Sequence, residues 1–498
     1  MRVQTNNTTL AYAEEAEVGV LPGNNKFTLL EPNTVSSYGA TITTVARNPI
    51  SQNRQRRKGT VTDLDSAVDW DGDFTVDNFV NFAEGFVFAL ATFDNVTFQG
   101  EPANPNGYGV PALESDQVAI LHSAPGGGAT LFLATGYSKP ENNGLKYIIS
   151  QPFIDDETIP FNGCSAEVPP SNATLDIAGY RGGEGDFSGA LSGTEYTLTN
   201  TSFDLTTLGL TAGQFVHIGG PETANQFPEG YGYGRIISIS SDDIVLDKLD
   251  ATLATSTGSG VSLDLLFGRF IRNVPTSHPD FLERSYTFEL TYPNLNEDGA
   301  DRYEYASGNI SNTLGINLPL SDKAGLTYGF IGTDAQPPTD VRVAGADTPV
   351  LPLDTGAFNT TIDCTRLRIA ETDDSGTYTD FKNLTVTLNN NVSPEKVLAN
   401  LGARYMNFGN YEIDIEAQLI FSDYRVASAV RENRTMTMDF GVKNDNGAIV
   451  FDIPSMTLGG GDKEFPVNES VLINTTAQAF QDPTLDTSIG ISIFPVVP

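Results

Sequence analysis

Positive charge is the scarcest resource in this 498-residue chain: 28 Lys and Arg stand against 63 Asp and Glu, a formal net charge of −35. Such a surface repels both nucleic acid and anionic membrane. Cysteine is almost absent. The two that occur, Cys164 and Cys364, lie far apart, so they exclude a disulfide framework and offer no zinc spacing. With three histidines, His122, His217 and His278, no pair sits at metal-ligand spacing. No apolar run approaches the length of a membrane span. The opening residues Met1–Asn7 have no apolar signal core, which predicts a chain folded in a cytoplasm. Stretches with helical periodicity are few.

Catalytic motifs are missing as well. Gly258-Ser259-Gly260 has the wrong spacing for a hydrolase elbow. The glycine clusters at 126–128, 230–234 and 459–461 lack the Lys-Ser/Thr of a phosphate loop and read as turns. Carboxylate pairs abound in any chain with this many acids and single out no glycosidase dyad. The sequence therefore calls for no enzyme activity, no cofactor and no metal.

What is present is β-structure. Thr, Val, Ile and Asn are plentiful, and 48 Gly and 28 Pro are scattered without period, the texture of many short strands and turns. One local plan occurs twice. Ala40–Val45, an Asn48-Pro49 loop, an alternating strand from Gly59 to Trp70, and Thr75 leading into a helix over Val76–Phe86 make the first copy. Leu384–Leu388, a loop through Asn391 and Pro394, an alternating strand from Tyr411 to Phe421, and Ser422 leading into a helix near Val426–Glu432 make the second. A repeated unit points to symmetric assembly rather than to a single catalytic pocket.

Both alternating strands carry acids on the face opposite their apolar residues. Asp63, Asp65 and Asp69 alternate with Leu64, Val68 and Trp70, and Glu412, Asp414 and Glu416 alternate with Ile413, Ile415 and Ala417. Period 2 sends the two sets to opposite sheet faces. Either this is an ordinary solvated face, or it faces a confined polyanion that must slide rather than bind. The one strong basic run, Arg54, Arg56, Arg57 and Lys58, precedes the first acidic strand. It is too short to grip nucleic acid and better suited to pairing with carboxylates of a neighbouring subunit.

The texture divides the chain into an arm (1–38), a first β-domain (39–175), an inserted β-domain with turns every eight to twelve residues (176–265), and a second β-domain (266–498). The apolar tail Ile489–Phe494 predicts a strand paired into a sheet.

Three segments carry a resemblance. Thr44–Ser51 with Arg56–Asp65, Asn389–Leu398, and Pro454–Gly461 resemble parts of tail tube proteins from phages with long, non-contractile tails. Leu205–Gln214 is similar to an insertion domain of some members. The resemblance implies a mainly β fold of two tube-type β-sandwiches with short flanking helices, plus the small inserted β-domain on the outside. It implies a virion structural protein, assembled in the host cytoplasm, whose rings stack into a tube that conducts DNA without binding it specifically. In such a ring a chain with two tube domains closes as a pseudo-hexameric trimer; a chain with one closes as a hexamer. Partners implied are further copies of the chain, a tape measure protein, and tail-tip and terminator proteins, with no membrane. The acids named above would face the lumen, and the basic loop would join subunits. Two readings from other classes stand beside it. One is an adhesive virion protein that stacks sugars on Tyr231 and Tyr233. The other is a polysaccharide-cleaving enzyme.

Overall fold

Period-2 patterning dominates the structure, a computed structural model that describes residues 4–496 apart from 24, 51, 53–54, 94–95, 98–107, 110–127, 150–157, 160, 166, 169, 171–172, 297, 347–348, 353–354 and 372–379. The fold is mainly β, with antiparallel sheets. The expected strand Val118–Leu121, His122 and Arg54 lie outside the described residues.

Each repeat is an antiparallel hairpin, a short helix and a three-strand meander. In the first, Thr34–Arg47 pairs with Arg57–Asp73, and helix α1 (Val76–Val87) follows. The meander is Ser285–Tyr292, Arg302–Leu318 and Gly325–Gly332, whose last strand returns to pair with Arg57–Asp73. In the second, Phe381–Asn389 pairs with Glu412–Ile420, and helix α2 (Arg425–Glu432) follows. Its meander is Thr435–Asn444, Gly447–Glu464 and Leu472–Ala479, whose last strand returns to pair with Glu412–Ile420. The two halves share one topology, strand for strand. They meet edge to edge where residues 313–318 pair with 384–389.

This pairing groups the chain differently from the boundaries 39–175, 176–265 and 266–498. The meander that completes the first repeat lies at residues 285–332, beyond the insertion. The inserted sheet in turn begins before residue 176, because Ala129–Thr135 pairs with Thr174–Glu184. Strand partners are chosen by three-dimensional closure, and local composition does not record which half a strand closes.

One apolar core spans both repeats. Trp70 is fully buried and stacks on Tyr328 at a centroid distance of 4.0 Å. Phe82 of α1 sits within ring contact of Trp70, Tyr286, Tyr328 and Phe330. Such ring pairs add about 0.5–1.5 kcal/mol each beyond the area they bury. Gly85 lets α1 approach closely, since a Cβ there would lie 2.5 Å from the Tyr286 hydroxyl. Thr75 caps α1 as expected, its Oγ1 accepting from the Asn78 amide at 3.1 Å. Replacing it with Ala should lower stability by about 1 kcal/mol, measurable as a shifted urea midpoint with an unchanged slope. The second helix is not capped by Ser422: it opens at Arg425, and the Asp423 carboxylate accepts the Arg425 amide at 2.9 Å.

The terminal segments are pinned by pairing. Thr9–Glu14, inside the expected arm, pairs with Ser285–Tyr292. The tail strand Gly490–Phe494 lies between Arg269–Arg272 and residues 448–452. Among the described residues the inserted domain is a ten-stranded sheet with its own core, built around Tyr196, Leu198, Ile236 and Leu265. It is seated on the second repeat, where Phe215 and Tyr233 pack on Ala448, Val450 and Phe494.

Candidate functional site: the acidic sheet face

The hairpins and meander ends of both repeats form one continuous stretch of sheet. From Arg57–Asp73 it passes through Gly325–Gly332, residues 313–318 and Phe381–Asn389 to Glu412–Ile420. Four antiparallel steps make the two acidic strands run in the same direction, about 19 Å apart at the usual strand spacing. This is what repeats related by rotation about a common axis would give.

Cross-strand registers place the acids at the ends of shared rows. One row reads Asp69, Gly329, Thr313, Asn389, Glu412; the next reads Asp71, Thr327, Gly315, Thr387, Asp414; the third reads Asp73, Gly325, Asn317, Thr385, Glu416. Every row begins and ends on a carboxylate and carries only small or neutral polar residues between. The opposite face holds Val68, Trp70, Leu326, Leu314, Val386 and Ile415, all buried. Asp69, Glu412, Asp414 and Glu416, expected on one face, are thus brought together on one surface. Asp63 and Asp65 lie further along the same face. Asp71 and Asp73 belong to it too. The strand runs three residues past the Trp70 end expected from its pattern, and the alternation continues through Asp73.

The face is not uniformly bare. Lys396, from the loop between the second hairpin's strands, donates to Asp63 Oδ1 and Asp65 Oδ1, each at 2.6 Å. The Lys396 bond holds the Asp63 carboxyl below its ordinary range, and the ammonium is raised in return. Burial raises the half-buried Asp69, against a backbone hydrogen bond from Phe330. Burial also acts on Asp73, but bonds from Lys323 and Asn33 outweigh it and lower that carboxyl.

At the other end of the first hairpin, residues 40–47 are exposed on both faces, including Ile42 and Val45. Their partners Asp63–Ser66 still touch the body, where Leu64 is buried and Lys396 reaches Asp63 and Asp65, so the last four residues, 44–47, at about 3.3 Å each project roughly 13 Å beyond it. The tip carries Arg56, Arg57 and Lys58, all exposed, and Arg57 lies directly opposite Arg47 in the pairing. Like charges facing across strands are unfavourable unless something takes them up.

A second charged cluster was not anticipated. Asp439, Asp452, Arg366 and Arg368 of the second repeat meet Arg235, Asp247, Lys248 and Asp250 of the inserted domain. Arg368 grips Asp439 with two nitrogens at 2.9 Å, and Arg366 also bonds to it. Burial would raise the Asp439 carboxyl, but Arg366, Lys248 and Arg368 outweigh it and hold it at about 2. The signal in the sequence was an acid inside an apolar strand, at Met438-Asp439-Phe440 and Phe451-Asp452-Ile453.

The sugar-stacking arrangement is not formed: Tyr231 is exposed, but Tyr233 is buried against His217 and Phe494. Among the described residues no group of three His, Cys, Asp or Glu side chains could hold a metal ion.

The structure is thus a repeated β-sandwich whose two halves join edge to edge and carry acids along one shared face. The family model for phage tail tube protein matches residues 5–233 and 237–478, and the chain belongs to that family. It is a structural component of the phage tail that assembles into a tube, and the family is a structural one, not known as an enzyme. No curated protein matches the chain.

Proposed function

We propose that three copies of this chain close into a ring of six repeats, that rings stack into the tube of a long, non-contractile tail, and that the acidic face lines the lumen. The observation that carries this is the placement of Asp69, Asp71 and Asp73 and of Glu412, Asp414 and Glu416 on parallel strands of one sheet, on the face away from the core. DNA carries about one charge per 1.7 Å of axis. Carboxylates give it no ion pairs to rest on, and within a screening length of about 8 Å they push it from the wall. The duplex passes through without specific binding during ejection into the host.

The inserted domain touches the body at residues away from the acidic strands, in keeping with a place on the tube's outside. The first hairpin, with its basic tip, reaches from one ring towards the next. Assembly takes place in the host cytoplasm, on a tape measure protein and between tip and terminator proteins. Negative-stain microscopy of the purified chain across concentration, with rotational averaging, tests the ring. Threefold averages with six similar lobes are expected. Sixfold averages of twice the mass would require six copies and defeat the assignment of two repeats per ring position, and strictly monomeric particles at every concentration would count against the ring itself.

A further inference from the structure

The junction inside the chain is a template for the junction between chains. Residues 313–318 of the long strand Arg302–Leu318 pair with Gly325–Gly332 on one side and with Phe381–Asn389 on the other. The corresponding strand of the second repeat, Gly447–Glu464, pairs with Leu472–Ala479 in the same way. Its other edge, after residue 457, has no strand beside it among the described residues. At the far end of the sheet, Thr34–Arg47 corresponds to Phe381–Asn389. It pairs with Arg57–Asp73 on one side and with no strand on the other among the described residues. The two open edges are the two halves of the junction already present at the centre.

We propose that residues 462–465 of one copy pair with residues 35–39 of a second copy in the register of the internal junction. The proposal rests on the tube reading above and names its contact. Counting through shared partners gives the alignment. Asn317 faces Gly325, which faces Asp73; Glu464 faces Leu472, which faces Ile420; so Asn317 corresponds to Glu464. Thr385 faces Glu416, and Ser37 faces Asp69, which stand at the same step of the two acidic strands. The internal pairs Gly315–Thr387, Ile316–Val386 and Asn317–Thr385 therefore become Asp462–Gly39, Lys463–Tyr38 and Glu464–Ser37 between copies.

The residues at these positions fit one another. Asp462, whose carboxylate falls on the acidic face, meets a glycine. The Lys463 stem and ammonium meet the Tyr38 ring, having already an aromatic neighbour in Phe421, 4.3 Å from its centroid. Phe465 corresponds to Leu318, which is 5% exposed within the internal junction, whereas Phe465 is 74% exposed. In the register above it comes against Val35, which lies at the margin of the core of the first repeat. An unpaired edge beside an exposed aromatic is a template for association, and the one partner whose edge and register match is another copy of the chain.

A full-length chain carrying Ser37→Cys and Glu464→Cys tests the register, because directly opposed residues bring their Cβ atoms to about 4.5–5.5 Å. After assembly and mild oxidation, covalent dimers and trimers that collapse on reduction are expected. A chain carrying Thr41→Cys and Glu464→Cys, out of register by four residues, should give few. Rings by microscopy without a covalent ladder, or equal ladders from both chains, overturn the register while leaving the tube reading intact. No rings and no ladder counts against both. Phe465→Asp should raise the concentration needed for rings at least tenfold with the melting temperature of the isolated chain unchanged; rings at the parent concentration would overturn its role.

Discussion

A chain carrying Asp439→Ala should unfold with about 3–5 kcal/mol less free energy than the parent, the usual cost of removing one partner from a buried ion network. Asp439 is buried, and three cations converge on it: Arg366, Arg368 and Lys248. Without the carboxylate, Lys248 keeps Asp452 and Arg366 keeps Asp250, but Arg368 loses all three of its bonds to Asp439. The bonds lost, those of Arg366 and Arg368, lie inside the second repeat, while Lys248 to Asp452 and Arg366 to Asp250 still join it to the inserted domain, so the two units should unfold together at a lower urea midpoint. Urea titration would see this as one transition at a lower midpoint, with no early proteolytic cleavage between residues 184 and 262. A variant that melts with the parent would remove the network from the account of stability. The pH dependence has a definite sign. The folded Asp439 sits at about 2, below the roughly 3.9 of an unfolded Asp. Its contribution is complete above about pH 4 and is lost as pH falls through about 2. The parent should lose stability across that window more steeply than the variant.

Reversing the acidic face should block or slow DNA ejection while leaving tubes intact. Glu412→Lys, Asp414→Lys and Glu416→Lys together, with Asp63→Lys, Asp65→Lys and Asp69→Lys, turn the repelling wall into one that binds the duplex. Each lysine that neutralises a phosphate adds close to one unit to the salt slope of binding, so the defect should shrink as salt is raised. Assembly is expected to survive, because Glu412, Asp414 and Glu416 are exposed and point away from the core. The Asp63 and Asp65 changes also remove the Lys396 bridge, so the triple change in the second repeat is the cleaner of the two sets. The readout is the fraction of genome released from intact virions after triggering. Normal release at every salt concentration would remove the lumen from the role given to this face.

Much of this architecture is written locally. Alternation around Asp63–Trp70 and Glu412–Ala417 reveals which face is buried, because a strand puts neighbouring side chains on opposite sides. Thr75 declares the start of α1 through its own hydroxyl. The apolar tail reveals a paired strand because no such segment is stable in water. What is not local is partner choice. Residues 285–332 close a repeat whose hairpin ended more than two hundred positions earlier, and nothing in their pattern names that hairpin. Lys396 reaches Asp63 across 333 positions and Arg235 reaches Asp452 across 217. Such contacts exist only once the sheet has closed, so composition and spacing carry no trace of them. The extension of the acidic row to Asp71 and Asp73 is legible in the same alternation, which continues past the tryptophan.

The two repeats match in topology but not at the loop joining the hairpin strands. In the first, the strands run on past the body and end in a basic tip; in the second, the loop turns back and lays Lys396 on its neighbour. A ring of three such chains therefore bears three projections, not six, set a third of a turn apart. A layer placed on it and twisted by a sixth of a turn would meet loops where it expected fingers. In the trimeric ring proposed above, the duplication that completes the circle would thus also break its sixfold evenness along the axis, and the angular phase of each layer would be set by the one beneath it.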